Sequence, residues 1–171
     1  MALRAWAEPD ASALVRACSD PLTRRYTSVP APYTLEDARM FIGAGRSATT
    51  LPLAVVAAGA PGEVLGAVGL HAVDHERERA EIGYWTAPWA RRRGVATRAL
   101  ALLSAWALDR EGIERLELFA EPTNLVSQRV ALACGFARGD LVRGGIALRG
   151  RRRDVIRFTR TAGEHAALRN I

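Results

Sequence analysis

The spacing of apolar residues changes period several times along this chain, and each change predicts an element. Leu3 to Trp6 reads as a short strand. Pro9 and Asp10 then open a helical stretch with Ala13, Leu14, Ala17 and Cys18 on one side, and Asp20-Pro21 ends it. After a loop through Pro30, Pro32 and Tyr33, the segment Thr34-Leu35-Glu36-Asp37 resembles a capping box with Asp in place of Glu. It predicts a short helix that buries Leu35, Ala38, Phe41 and Ile42.

Leu53 to Ala57 and Val64 to Val73 read as strands joined by a turn at Gly59-Ala60-Pro61-Gly62, and Ala80 to Thr86 adds a third strand. From Gly94 to Asp109 the period becomes helical, with Val95, Ala99, Leu102, Leu103 and Trp106 as the apolar stripe. Leu116 to Ala120 predicts a strand, Asn124 to Cys134 a helix, and Phe136 to about Arg143 with Asp154 to Thr159 a closing strand pair. No linker or repeat interrupts this order. It predicts an α/β (α+β) fold around a mixed, mainly antiparallel sheet, with one domain over residues 1–160 and an unassigned tail over 161–171.

Composition narrows the class. With 49% hydrophobic and 25% charged residues in 171, the chain reads as a globular protein. No apolar run approaches the roughly 20 residues that span a bilayer. The start turns polar too soon for a secretory signal, so a cytoplasmic location and no membrane partner are expected. Cys18 and Cys134 fit no metal or redox spacing, and His71, His75 and His165 supply no cluster, so no metal is expected. The net charge of +6 rests on arginine alone, because the sequence contains no lysine. Guanidinium groups fork onto phosphate and carboxylate oxygens, which suits phosphorylated or acidic ligands.

The chemistry concentrates in Arg91-Arg92-Arg93-Gly94-Val95-Ala96, which lies between a strand and a long helix. The first turn of a helix leaves amide hydrogens unpaired at its positive end, and small residues let a pyrophosphate approach them. A P-loop would need lysine, and a dinucleotide fingerprint would need three spaced glycines. Taken alone, the loop is equally a basic, solvated helix start.

Arg-x-x-Gly-x-Ala resembles the Arg/Gln-x-x-Gly-x-Gly/Ala signature of the GNAT superfamily of N-acetyltransferases. The resemblance continues through Ala80-Glu81-Ile82-Gly83-Tyr84-Trp85 before the loop, and through Asn124-Leu125-Val126-Ser127, Val130 and Gly135-Phe136 after it. The combination looks like the RimJ/RimL branch, which includes enzymes acetylating protein N-termini. Asp20-Pro21, Pro32-Tyr33-Thr34 and Arg153-Asp154-Val155 also fit that branch.

The resemblance implies that acetyl-CoA inserts between splayed central strands, here Ala80 to Thr86 and Leu116 to Ala120. Arg91 and the backbone of Arg92, Arg93, Gly94, Val95 and Ala96 would hold its pyrophosphate. Amides near Thr86 and Ala87 would hold the pantetheine arm and polarise the thioester carbonyl. An amine would attack directly, with Glu81 as the first candidate for general base through a water. Strand alternation puts Glu81, Gly83 and Trp85 on one face and Ile82, Tyr84 and Thr86 on the other. Glu81 is equally a surface ion-pair partner, and His71 with Asp74 is a second choice.

Many family members carry a tyrosine on the helix before Gly-Phe to protonate the thiolate, and here that position is Ala131. Ser127 is the candidate substitute, and Asn124 either contacts pantetheine or caps its helix. Trp85, Trp89, Tyr33 and Phe119 are candidates to line the acceptor pocket. The cluster of Arg149, Arg151, Arg152 and Arg153 either attracts an acidic substrate or the 3′-phosphate of the cosubstrate, or forms a solvated hairpin rim.

The acceptor implied first is the α-amino group of a protein or peptide. A small amine (amino acid, polyamine or antibiotic) is the alternative, as is a silent acyl-CoA-binding module. The basic pI of about 10.5 also raises nucleic-acid binding, which no helix-turn-helix, zinc-finger or RNA-binding signature supports. The branch also admits a homodimer.

Overall fold

The computed structural model describes residues 1–169 and places them in one seven-stranded sheet with helices on both faces. In chain order the elements are β1 (Ala2–Arg4), α1 (Ala11–Cys18), α2 (Pro21–Tyr26), α3 (Leu35–Ala44), β2 (Leu51–Ala57), β3 (Ala60–Asp74) and β4 (Arg79–Thr86). They continue with α4 (Val95–Arg110), β5 (Arg115–Ala120), α5 (Leu125–Ala133), β6 (Ala137–Leu148), β7 (Arg151–Thr161) and α6 (Ala162–Arg169). The sheet order is β1-β2-β3-β4-β5-β7-β6, and every neighbouring pair is antiparallel except β4 with β5. The expected mixed, mainly antiparallel fold is therefore the observed one. No described helix is long and apolar enough to cross a membrane.

Two apolar layers cover the sheet. On one face Val68, Leu70, Ile82, Leu116, Leu118 and Phe158 pack against Ala99, Leu100 and Leu103 of α4. On the other, Val56 and Ala67 pack with Trp6, Leu14, Tyr33 and Ala38, which belong to the amino-terminal segment through α3. The odd positions of β4 belong to this second face, where Trp85 stacks on Trp6 with ring centroids 6.2 Å apart.

Several boundaries differ from the sequence expectation for identifiable reasons. Asp20-Pro21 ends α1 but also begins α2. The Asp20 carboxylate accepts from the Thr23 amide at 2.9 Å, and Pro21 occupies the first helical position, where its missing N–H costs nothing. The expected box at Thr34 and Asp37 forms in full. Along α3, however, Leu35 and Phe41 remain exposed while Ala38 is buried.

On α4 the buried set is Val95, Ala99, Leu100, Leu103, Ser104, Ala107 and Leu108, whereas Leu102 and Trp106 face outward. The tail expected to be unassignable begins with a helix. His165 in α6 approaches Asp109 of α4 at 3.2 Å, and its Nδ1 lies 2.7 Å from Nη2 of the buried Arg160. Arg160 also donates to Ser104 Oγ at 2.7 Å, so three polar groups knit α4, β7 and α6 together. The last two positions of that tail, 170–171, lie outside the described residues.

Candidate functional site

β4 and β5 run side by side for three positions only. Arg79, Ala80 and Glu81 register with Arg115, Leu116 and Glu117. β4 then continues to Thr86 and β5 to Ala120 with no pairing between them. The sheet opens there into a wedge whose mouth lies at the carboxyl ends of both strands.

Bonding to β3 decides which backbone groups of β4 face the wedge. The Ala87 N–H donates to the Leu65 carbonyl at 2.9 Å. In an antiparallel ladder bonded and non-bonded pairs alternate, and the register from Thr86 opposite Gly66 to Glu81 opposite His71 is unbroken. Trp85, Gly83 and Glu81 therefore aim their polar backbone groups at β3, while Thr86, Tyr84 and Ile82 aim theirs into the wedge. Thr86 keeps a free backbone edge toward the gap. Ala87 does not, because its amide is spent on Leu65 and the residue is fully buried. This corrects the expectation for Ala87 and moves the second wedge-facing amide to Tyr84.

After the short helical turn Pro88–Ala90, the arginine loop bends back through two left-handed residues, Arg92 at φ 61° and Gly94 at φ 70°. Gly94 is the N-cap of α4 and carries no capping side chain, so the first-turn amides and the positive end of the helix dipole are left uncovered. A Cβ at this position would meet only the Arg98 guanidinium, at 3.7 Å. Val95 turns its side chain into the core and Ala96 is half-buried, so both offer backbone alone.

The three arginines separate. Arg92 and Arg93 are exposed. Arg91 reaches away from the helix end to Asp20, forming an ion pair, and to Thr23 Oγ1 at 3.1 Å. Hydrogen bonding from Arg91 is the main reason the Asp20 carboxyl is held below the usual carboxylate range. Its side chain thus clamps the loop to α2.

A hydroxyl pair stands across the wedge. The phenol of Tyr84, on the even face of β4, lies 3.0 Å from Ser127 Oγ in α5, the helix that follows β5. Burial is the main cause that pushes the Tyr84 phenol up to about 12, so it stays protonated at neutral pH. The position that would carry the family tyrosine, Ala131, is fully buried. In the sequence, alternation along β4 sets Tyr84 only on the face opposite Glu81; its pairing with Ser127, 43 positions later, appears in the fold. Asn124 accepts from the Ser127 amide at 3.2 Å, so its side-chain oxygen caps α5 and orients Ser127.

On the other face, at the vertex of the wedge, Glu81 stands between His71 and Glu117 in register. Glu81 is exposed, yet partial desolvation by its neighbours raises its carboxyl above the ordinary glutamate range, the Glu117 charge adds to this, and Arg79 opposes it. The His71 ring lies over the bare Gly83, with Nε2 3.6 Å from where a Cβ would be. Burial lowers the His71 pKa, so the ring is neutral near pH 7. Asp74 does not join this group. It is held in the β3–β4 turn by Arg77 at 3.1 Å and Arg79 at 3.5 Å.

Of the aromatic candidates, Trp85 and Tyr33 share the core of this face. Trp89 instead donates to the Val64 carbonyl at 2.8 Å under the guanidinium of Arg16. Phe119 registers with Arg157 on β7.

Residues 1–137 match the acetyltransferase (GNAT) domain family. The chain belongs to the GNAT family. Among curated proteins it is similar to YdaF of Bacillus subtilis, whose name assigns it provisionally to the ribosomal N-acetyltransferases. The two are 29% identical over 98 residues, which is 57% of this chain and 54% of that protein. The match thus spans about half the length of such relatives.

A Vibrio cholerae structure, provisionally described as a ribosomal-protein-serine acetyltransferase, superposes with a TM-score of 0.82 at 25% identity. It covers 93% of this chain and 92% of its own. The spermidine N-acetyltransferase of Vibrio cholerae, solved with CoA and spermine, has the same fold at a TM-score of 0.82 and 17% identity. The overlap is 96% of this chain and 97% of that one.

Proposed function

We propose that this protein transfers the acetyl group of acetyl-CoA to a primary amine, and that the amine is the α-amino group of a protein or peptide. The observation that carries the reading is the wedge between β4 and β5 with the uncapped amino end of α4 beside its mouth. Pantetheine is an extended chain with amides of its own, and the free edge of β4 at Tyr84 and Thr86 offers it strand-like pairing. The N–H groups of Arg92 to Ala96 suit a pyrophosphate.

In this mechanism a wedge-facing amide of β4 donates to the thioester oxygen and stabilises the oxyanion as the amine adds to the carbonyl carbon. Glu81, working through a water, accepts the proton that the attacking nitrogen loses. An α-amine with a pKa near 8 is already partly free base at neutral pH, so a modest base suffices. As the tetrahedral intermediate collapses, the C–S bond breaks, and the Tyr84–Ser127 hydroxyl pair donates a hydrogen bond or a proton to the departing thiolate. The neutral His71 beside Glu81 is placed to share the water.

The paired carboxylates Glu81 and Glu117 favour a second reading, a polyamine acceptor like the spermine bound in the spermidine-enzyme structure. Calorimetric titration with acetyl-CoA, combined with a thiol-release assay on peptides and polyamines, tests both. Binding with release on peptides supports the first reading, and release on polyamines alone supports the second. No binding of acetyl-CoA defeats both.

A further inference from the structure

The β6–β7 hairpin overshoots the rest of the sheet. Ile156 is the first residue of β7 to pair with β5, where it faces Ala120. Residues 151–155 run on past the end of β5, toward the mouth of the wedge. At about 3.4 Å per residue, Arg153 lies roughly 10 Å beyond that end and Arg151 roughly 17 Å. Helix α2 is held at the same mouth by the ion pair of Asp20 with Arg91, just past the end of β4.

Between α2 and the hairpin lies an open cavity of about 460 Å³, lined by Pro21, Leu148 and five arginines: Arg24, Arg25, Arg149, Arg151 and Arg153. Strand alternation sorts the hairpin arginines. Arg151 and Arg153 face the cavity, whereas Arg152 turns to donate to the Gly144 carbonyl at 2.6 Å. Among the described residues no carboxylate forms an ion pair with any of the five. Among the described residues Arg149 bonds only to the Arg24 carbonyl, and the buried Nε of Arg24 has no partner. Five arginines lining one cavity without a paired carboxylate suit carboxylate ligands, which a guanidinium fork can grip in two-point fashion.

We propose that this cavity binds acidic side chains of the acceptor, so that the enzyme selects peptides carrying Asp or Glu a few residues after the amine. The proposal rests on the peptide reading above and deepens it. An amine at the wedge, level with Gly83 to Trp85, lies level with β7 residues 155–157. The arginines begin about two strand residues further out, so an extended acceptor places its third to fifth residues among them. The same field disfavours a polycationic acceptor at the mouth.

The test compares two peptides that share their first two residues and carry either Glu or Gln at positions three to five. The acceptors are assayed with the wild-type protein and with the R151S/R153S double variant, whose two exposed side chains form no bond that the fold needs. The wild type is expected to prefer the Glu peptide at least tenfold in kcat/KM through KM, and to lose that preference in high salt. The variant is expected to show a ratio near one.

A wild-type ratio near one, or a preference that survives in the variant, overturns the proposal and leaves the peptide reading standing. A weakened acetyl-CoA affinity in the variant, read by calorimetry, also overturns it, because the arginines would then serve the phosphates of the cosubstrate. Release on small amines with no transfer to any peptide refutes the peptide reading and this proposal with it.

Discussion

Gly94 allows the phosphate assignment to be tested by charge at constant shape. Its φ of 70° and ψ of 14° lie in the left-handed region, which Asn and Asp tolerate better than other side chains, so Gly94→Asn and Gly94→Asp should each cost under about 2 kcal/mol. A Cβ added here meets only the Arg98 guanidinium, at 3.7 Å. The variants differ by one charge.

A carboxylate about 5 Å from the two charges of a pyrophosphate, at an effective dielectric of 40–80, repels it by roughly 1.7–3.3 kcal/mol. Arg98 offsets part of this by pairing with the new carboxylate, which leaves about 2 kcal/mol, or roughly 30-fold in Kd. The assay is calorimetric titration of acetyl-CoA into both variants, after melting curves show that they are equally folded. Gly94→Asp should bind about 30-fold more weakly than Gly94→Asn. Equal affinities in the two variants would refute the assignment of this helix end to the pyrophosphate.

Three further outcomes follow from the site and the core. Glu81→Gln should lower kcat/KM about 100-fold near neutral pH, with the deficit shrinking as pH passes the α-amine pKa near 8. A deficit constant with pH would remove Glu81 as the base. Because its folded pKa is raised, the native state holds the Glu81 proton more tightly than the unfolded chain, so stability from this group falls as pH rises from the ordinary glutamate pKa through the raised one. Glu81→Gln should therefore melt higher than wild type at pH 7 but not at pH 4. Tyr84→Phe and Ser127→Ala should each lower kcat about tenfold or more, and the double variant should be no worse than the poorer single one. Multiplicative losses would show that the two hydroxyls act separately. His165→Ala removes a partner of the buried Arg160 and should cost about 1–3 kcal/mol in denaturant unfolding, while acetyl-CoA affinity stays unchanged.

Where the chain punctuates itself, the sequence was easy to read. The capping box at Thr34, the strand-loop-helix run through Gly94 and the meander before it were all legible, because each rests on local chemistry. The buried face of α4 was not. Its segment Val95-Ala96-Thr97-Arg98-Ala99-Leu100-Ala101-Leu102-Leu103 is apolar on most sides, so periodicity alone does not choose between Leu100 and Leu102. The sheet chose Leu100. Helix α2 was hidden because Asp20-Pro21 serves as a stop and a start at once.

The site was legible one residue at a time but not in its pairings. Ser127 drew notice by its place in the motif, yet its partner Tyr84 lies 43 positions earlier. Likewise, nothing in the local pattern shows that Arg91 answers Asp20, 71 positions away, or that the Ala87 amide is already engaged.

The clamp between Arg91 and Asp20 has a kinetic consequence. It ties the loop that would receive the pyrophosphate to the helix that forms one wall of the arginine cavity, so under the proposed function the two substrates would not meet independent surfaces. If acetyl-CoA docks at this loop as proposed, its hold reaches α2 through this bond before any acceptor arrives. Initial-rate patterns should therefore show ordered addition with the thioester first. Asp20→Asn, which weakens the bond and keeps the shape, should relax the pattern toward random order.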